Sequence, residues 1–221
     1  MEYRSKQLNE SLIGVAPILG DSELLLSQLD KKNKYLPFLE KMAEHRKREW
    51  LSVRVLLKEM LGEEKEILYL PSGKPYLADH SGYIGISHTK LGIAGQARSD
   101  KLLSGYVALI LNKDEEVAID IERISSRIKN IRSRFVNEAE EQSLSKANEM
   151  THLLLYWSAK ESIFKRLDAE NVDFKTQLHI APFEPFTGEW SSFKACETRT
   201  EKQHTFTVNY FVHKDYVLTC I

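Results

Sequence analysis

The hexapeptide Val117-Ala118-Ile119-Asp120-Ile121-Glu122 runs from apolar residues into two acids spaced two apart. On a strand, side chains two apart leave from the same face, so Asp120 and Glu122 stand side by side. Like charges held that close repel, and keeping both ionised calls for a cation. A hard dication with oxygen ligands, Mg²⁺ above all, is the simplest answer. Read alone, the same six residues also describe a solvated strand end with two surface acids.

A second element is Trp157-Ser158-Ala159-Lys160-Glu161-Ser162-Ile163-Phe164-Lys165. On a helix, Trp157, Glu161 and Lys165 fall at i, i+4 and i+8 along one face. That face mixes an indole, a carboxylate and an ammonium, which is unlike a core stripe. Its plain reading is an exposed Glu161–Lys165 pair worth about 0.3–0.5 kcal/mol. Its sharper reading makes Glu161 a third metal oxygen and Lys165 a phosphate contact, since Mg²⁺ takes few protein carboxylates and completes its shell with water and phosphate.

Three further groups suit anions. In Gly73-Lys74-Pro75, the glycine and proline fix a tight turn from which Lys74 projects. Ile86-Ser87-His88-Thr89 ends an apolar run in hydroxyls and an imidazole, groups that can donate to phosphate oxygens. The run His45-Arg46-Lys47-Arg48, with Arg54 further along, offers guanidinium groups for bidentate phosphate contacts, although Glu44 and Glu49 also fit an ordinary charged helix face.

The elements that must carry these residues follow from periodicity. A helix is expected from about Leu36 to Leu61, with apolar Leu39, Met42, Trp50, Val53, Leu57 and Met60 and a stop at Gly62. Short strands are expected over Leu12 to Leu19, Ile67 to Leu70 and Tyr83 to Ile86. A further one at Leu91 to Ala97 would be joined to the last of these through Ser87-His88-Thr89-Lys90 as a hairpin. Leu102 to Leu111 and Val117 to Ile121 also read as strands. A second long helix covers Met150 to Leu167, and the aromatic–polar alternation of Trp190 to Ile221 reads as a β-hairpin. The polar break Asn112-Lys113-Asp114-Glu115-Glu116 divides the chain into halves at 1–112 and 113–221, each a long helix on a small, mostly antiparallel sheet. The class is α+β.

Composition narrows the function. The 221 residues carry 31 Lys plus Arg against 32 Asp plus Glu, a net charge of −1, so a polybasic nucleic-acid coat is excluded and any anion site must be local. Cys196 and Cys220 are too few for a disulfide framework and show no zinc spacing. The run Leu12 to Leu19, broken by Gly14 and Pro17, is too short to span a bilayer and a poor leader. A cytoplasmic protein with no membrane or nucleic-acid partner is expected.

In order along the chain, these elements resemble the 4′-phosphopantetheinyl transferase superfamily, and within it the surfactin-synthetase-activating (Sfp-type) branch. The signatures are the Val117 to Glu122 strand and the Trp157 to Lys165 helix. Between them, Arg134-Phe135-Val136-Asn137-Glu138-Ala139-Glu140 resembles the family's R-F-x-x-x-x-E stretch. Upstream stand Gly73-Lys74-Pro75 and Ile86-Ser87-His88. Together they span roughly residues 46–165, with Ala118 where the family has glycine.

The resemblance implies a pseudo-dimer of two similar α+β halves with substrate in the cleft between them, and a monomer. It implies Mg²⁺ on Asp120, Glu122 and Glu161, and coenzyme A held by Arg48, Lys74, Ser87, His88 and Lys165, with Arg54 and Lys32 as looser matches. Phosphopantetheine would pass from coenzyme A to a serine of an apo acyl or peptidyl carrier protein, leaving 3′,5′-ADP. Asp120, Glu161, His88 and Lys165 would carry the catalysis, with Glu161, a metal-bound water or, less favoured, Glu140 as base. The basic stretch Arg123, Arg127, Lys129, Arg132 and Arg134 would meet an acidic carrier helix. Two rivals remain: a non-catalytic coenzyme A or carrier-protein-binding module of the same fold, and a metal-dependent phosphodiesterase.

Overall fold

Near-continuous apolar runs such as Tyr106–Asn112 need cover on both faces, and the chain supplies it with helices laid on antiparallel sheets. The computed structural model describes residues 3–89 and 105–221, which divide into two compact units, Met1–Val117 and Ala118–Ile221. The expected strand at Leu91 to Ala97 lies outside the described residues, as does the start of the Leu102 to Leu111 run.

The first unit contains, in order, β1 (Arg4–Leu8), β2 (Ser11–Pro17), α1 (Ser22–Ser27), α2 (Lys32–Leu39), α3 (Glu44–Leu61), β3 (Ile67–Tyr69), β4 (Pro75–Leu77), β5 (Tyr83–His88) and β6 (Tyr106–Asn112). Its main sheet has the order β1-β2-β6-β5, every pair antiparallel, and β3 and β4 form a separate hairpin. One side of α3 places Val53, Leu56 and Leu57 in a core with Ile84, Val107, Leu109 and Leu111. Its other side sets Leu51 and Val55 against Leu25, Leu29, Tyr35 and Leu39 from the α1–α2 region. Gly62 ends α3 in the left-handed conformation at φ 74°, donating its N–H to the Lys58 carbonyl.

Two expectations change here. The single helix from Leu36 to Leu61 is two helices, α2 and α3, parted at an extended Ala43 (φ −65°, ψ 149°). Pro37 lacks the N–H that would continue the helical ladder, and α2 stops two residues later. Nor do Ser87 and His88 join two strands: both belong to β5, paired with Ala108 and Val107 of β6. The ladder runs on to Thr89, whose N–H donates to the Tyr106 carbonyl while its Oγ1 accepts from the Tyr106 N–H.

The second unit contains β7 (Ile119–Arg123), α4 (Ile128–Ile131), a 3-10 turn at Arg132–Arg134, α5 (Glu138–Ser143), α6 (Glu149–Leu167), β8 (Leu178–Ile180), β9 (Trp190–Glu197), β10 (Thr205–Val212) and β11 (Tyr216–Cys220). The sheet order is β7-β11-β10-β9-β8, again antiparallel throughout. The tail is therefore three strands of this sheet and not one hairpin. β11 is buried at every residue, between two strands and beneath α6, so it carries no polar alternation to mark it. Ser158 and Ser162 let α6 approach closely, and both hydroxyls bond Thr219 Oγ1, at 2.9 and 2.8 Å.

Lys160 anchors α6. It is fully buried and donates to Glu140 Oε2 at 2.8 Å and to the carbonyls of Phe135 and Phe174 at 2.6 and 2.8 Å. Glu140 in turn accepts from the N–H of Asn137 in a capping box and from the N–H of Ile180. One ammonium thus ties α6, α5, β8 and the Phe174 loop.

Helices with antiparallel sheets in both units are compatible with an α+β fold. Among the described residues, no helix is long and apolar enough to cross a membrane. Cys196 and Cys220 are free thiols, and burial pushes the Cys220 thiol up to about 12.

Truncating a partner of a buried ion pair leaves the other charge without compensation. Lys160→Met, which strands Glu140 and two buried carbonyls, should cost about 3–5 kcal/mol, read as a fall in the urea midpoint. A loss below 1 kcal/mol would contradict the anchoring role.

Candidate functional site

In the second unit, the register of β7 on β11 sets Asp120 opposite Thr219 and Glu122 opposite Val217, with both acids on the face that α6 covers. Asp120 is 4% exposed. The helix answers with the face read from its i, i+4, i+8 spacing. The Trp157 indole N–H donates to Glu122 Oε1 at 2.8 Å, and Lys165 Nζ donates to Asp120 Oδ1 at 2.7 Å and to the Ile119 carbonyl at 3.2 Å. Glu161 lies between them on the same helical face.

The electrostatics show that the three acids share one field. Burial, and then the charge of Asp120, push the Glu122 carboxyl up to about 7; Glu161 adds to the push, while the Trp157 hydrogen bond and Lys165 oppose it. Negative charge is in excess at this spot. The donor set, hard carboxylate oxygens short of positive charge, suits Mg²⁺. As the side chains are placed, Lys165 holds Asp120 and Trp157 holds Glu122. Among the described residues, no three His, Cys, Asp or Glu side chains are gathered tightly enough to ligate an ion.

Glu140 has no place in this chemistry. Its carboxylate is 1% exposed and both oxygens are bonded internally, which removes it from the candidate bases. The basic stretch is partly neutralised from within: Lys129 pairs with Glu149, and Arg132 pairs with Glu141 and, at 2.8 Å, with Glu149. Arg123, Arg127 and Arg134 are exposed.

The other anion-binding candidates belong to the first unit. Gly73 is left-handed at φ 89°, and Lys74 after it pairs with Glu116 at 3.2 Å. Lys74, Tyr76, His80, Tyr83, Asp114 and Glu116 are among the lining of a cavity of about 420 Å³. Ser87 is buried, whereas the His88 side chain is about a third exposed, with Nδ1 3.7 Å from Glu49 Oε1. Arg48 is half-buried on α3, and Lys32 is exposed at the start of α2. Arg54 is fixed in the interior: its guanidinium lies 3.1 Å from the Trp50 ring centroid and donates to the Trp50 carbonyl, and burial lowers it to about 10.

Three contributors went unassigned in the sequence. Lys160 lies four residues after Tyr156 and three before Ile163, both buried, so the helical period itself puts it in the core. Trp157 carried the right face but gave no sign of which acid it would bond. Glu49 was one acid directly after a basic run, with no local mark of what it faces.

Residues 116–221 match the family model of the 4′-phosphopantetheinyl transferase superfamily. No curated protein matches the chain. The matched segment contains Asp120, Glu122, Glu161 and Lys165, and at family level it supports an activity of the phosphopantetheinyl transferase type.

If Lys165 neutralises Asp120, the two residues are coupled. In magnesium-free buffer, Lys165→Met alone should cost about 1–3 kcal/mol by leaving a buried carboxylate uncompensated, and adding Asp120→Asn should restore most of the loss. Additive losses in the urea titrations of the double-mutant cycle would show that the pair is not a unit.

Proposed function

We propose that this chain transfers 4′-phosphopantetheine from coenzyme A to a serine of an apo carrier protein, releasing 3′,5′-ADP. The observation that carries this reading is the α6 face that brings Trp157 to Glu122 and Lys165 to Asp120, with Glu161 between them, within the segment that matches the transferase family. The finer likeness to the Sfp-type branch rests on Gly73-Lys74-Pro75 and Ile86-Ser87-His88, which lie outside the matched segment. A long helix on an antiparallel sheet in each unit supports a pseudo-dimeric plan.

Asp120, Glu122 and Glu161 would hold Mg²⁺, which when bound supplies Lewis-acid stabilisation to the pyrophosphate. Glu161 accepts the proton of the attacking serine hydroxyl. The serine oxygen forms a bond to the β-phosphorus, and the bond from that phosphorus to the bridging oxygen of 3′,5′-ADP breaks. Lys165 places positive charge against the oxygens on which charge builds, and His88 offers N–H donors to a phosphate. Lys74 and Arg48 contact the 3′-phosphate and adenine region of coenzyme A, and Ser87 helps hold its phosphates. Arg123, Arg127 and Arg134 present unburied positive charge to an acidic carrier surface, which speeds encounter more than it tightens the complex.

A second reading, a coenzyme A or carrier-protein-binding module without catalysis, is favoured by one observation: Lys165 already neutralises Asp120.

The two readings part in one assay. Full-length protein incubated with coenzyme A, Mg²⁺ and several apo carrier proteins should add the mass of phosphopantetheine to a carrier serine, and Asp120→Ala should abolish the addition. No mass increase on any carrier, with coenzyme A still bound, would establish the binding module instead. Arg127→Glu should raise the KM for the carrier about threefold or more and leave that for coenzyme A unchanged. Equal carrier KM values would remove the docking role.

A further inference from the structure

Glu49 is an acid in the wrong company. It lies on α3 directly after the run His45-Arg46-Lys47-Arg48, where a surface for phosphates gains nothing from a carboxylate. It is also buried, its side chain 8% exposed, so solvation does not explain it. Its two oxygens have separate tasks. Oε2 accepts from Arg46 at 2.8 Å, and Oε1 faces Nδ1 of His88, on the last residue of β5, at 3.7 Å. That nitrogen is itself buried, so the exposed third of the imidazole belongs to the rest of the ring.

We propose that Glu49 is a positioning residue, holding the His88 imidazole with its Nδ1 edge inward and its Nε2–H outward, toward an oxygen of the coenzyme A pyrophosphate. The proposal rests on the reading of His88 as a phosphate contact. A carboxylate beside Nδ1 keeps a proton on that nitrogen and stabilises the imidazolium, the one form that also carries a proton on Nε2. Arg46 bonds the other oxygen of the same carboxylate and so limits its pull. Among the described residues, Glu49 faces His88 from α3 with Arg46 behind it, and β6 sets the apolar Val107 beside it. The arrangement makes His88 a donor and electrostatic clamp, not a base.

The imidazole signals of isotope-labelled full-length protein, assigned by the resonance lost in His88→Gln, report this directly without substrate. Glu49→Gln should lower the His88 titration midpoint by about half a pH unit or more, about a threefold loss in proton affinity. Arg46→Gln should raise it, because the carboxylate then acts on the imidazole alone. Arg46 is 60% exposed, so this variant gives a result even where Glu49→Gln does not fold. Midpoints unmoved in both variants would overturn the proposal. Adding coenzyme A to the wild type should shift the His88 signals. A Glu49-dependent midpoint with His88 signals indifferent to coenzyme A would overturn instead the phosphate-contact reading beneath it, so the two failures are told apart.

Discussion

Two carboxylates at the buried end of β7 are costly to desolvate unless positive charge or hydrogen-bond donors are brought to them, and much of the second unit meets that demand. α6 runs across β7 and β11 so that one face delivers an indole N–H to Glu122 and an ammonium to Asp120. The same face carries Glu161, which adds to the repulsion. Placing a third acid where two are already in surplus weakens the fold locally, since like charges oppose ionisation and burial compounds the effect. Such an arrangement supports the proposed site for a positive ligand, since perturbed carboxyl groups cluster where function requires them.

Holding α6 in register is therefore as consequential as the acids themselves. A one-residue rotation would turn the Trp157, Glu161 and Lys165 face away from β7 by about 100°. Two devices prevent it. Ser158 and Ser162 lock onto Thr219, the residue opposite Asp120 in the strand register. On another side of the helix, Lys160 ties Glu140 and two carbonyls from neighbouring segments. Adjacent residues Lys160 and Glu161 thus divide the labour: the lysine fixes the helix from inside, and the glutamate shares the face that Trp157 and Lys165 turn to β7.

Much of this was legible in the residues. The two-residue spacing of Asp120 and Glu122 and the four-residue spacing of Trp157, Glu161 and Lys165 each describe one face of one element, and local geometry alone fixes such faces. What periodicity did not reveal depends on contacts distant in sequence. The break between α2 and α3 arises where Leu39 turns into the core with Leu25 and Leu29. β11 has no alternation because both faces are covered, and a strand of that kind resembles any short apolar run. The pairing of Glu49 with His88 joins residues far apart in the chain, and only the packing of α3 and β5 in one unit brings them together.

The distribution of charge has a consequence for ligand choice. Several cations at the candidate sites are already engaged: Lys74 with Glu116, Arg46 with Glu49, Lys129 with Glu149, Arg132 with Glu141 and Glu149, and Lys165 with Asp120. A polyanion that approaches must displace carboxylates from these pairs, and it gains little from attraction at long range. A ligand that offers a phosphate oxygen in each right place can make that exchange close to neutral. One that offers only charge density cannot. Neutralised cations of this kind therefore select for the arrangement of phosphates rather than their number, in line with the coenzyme A ligand proposed above.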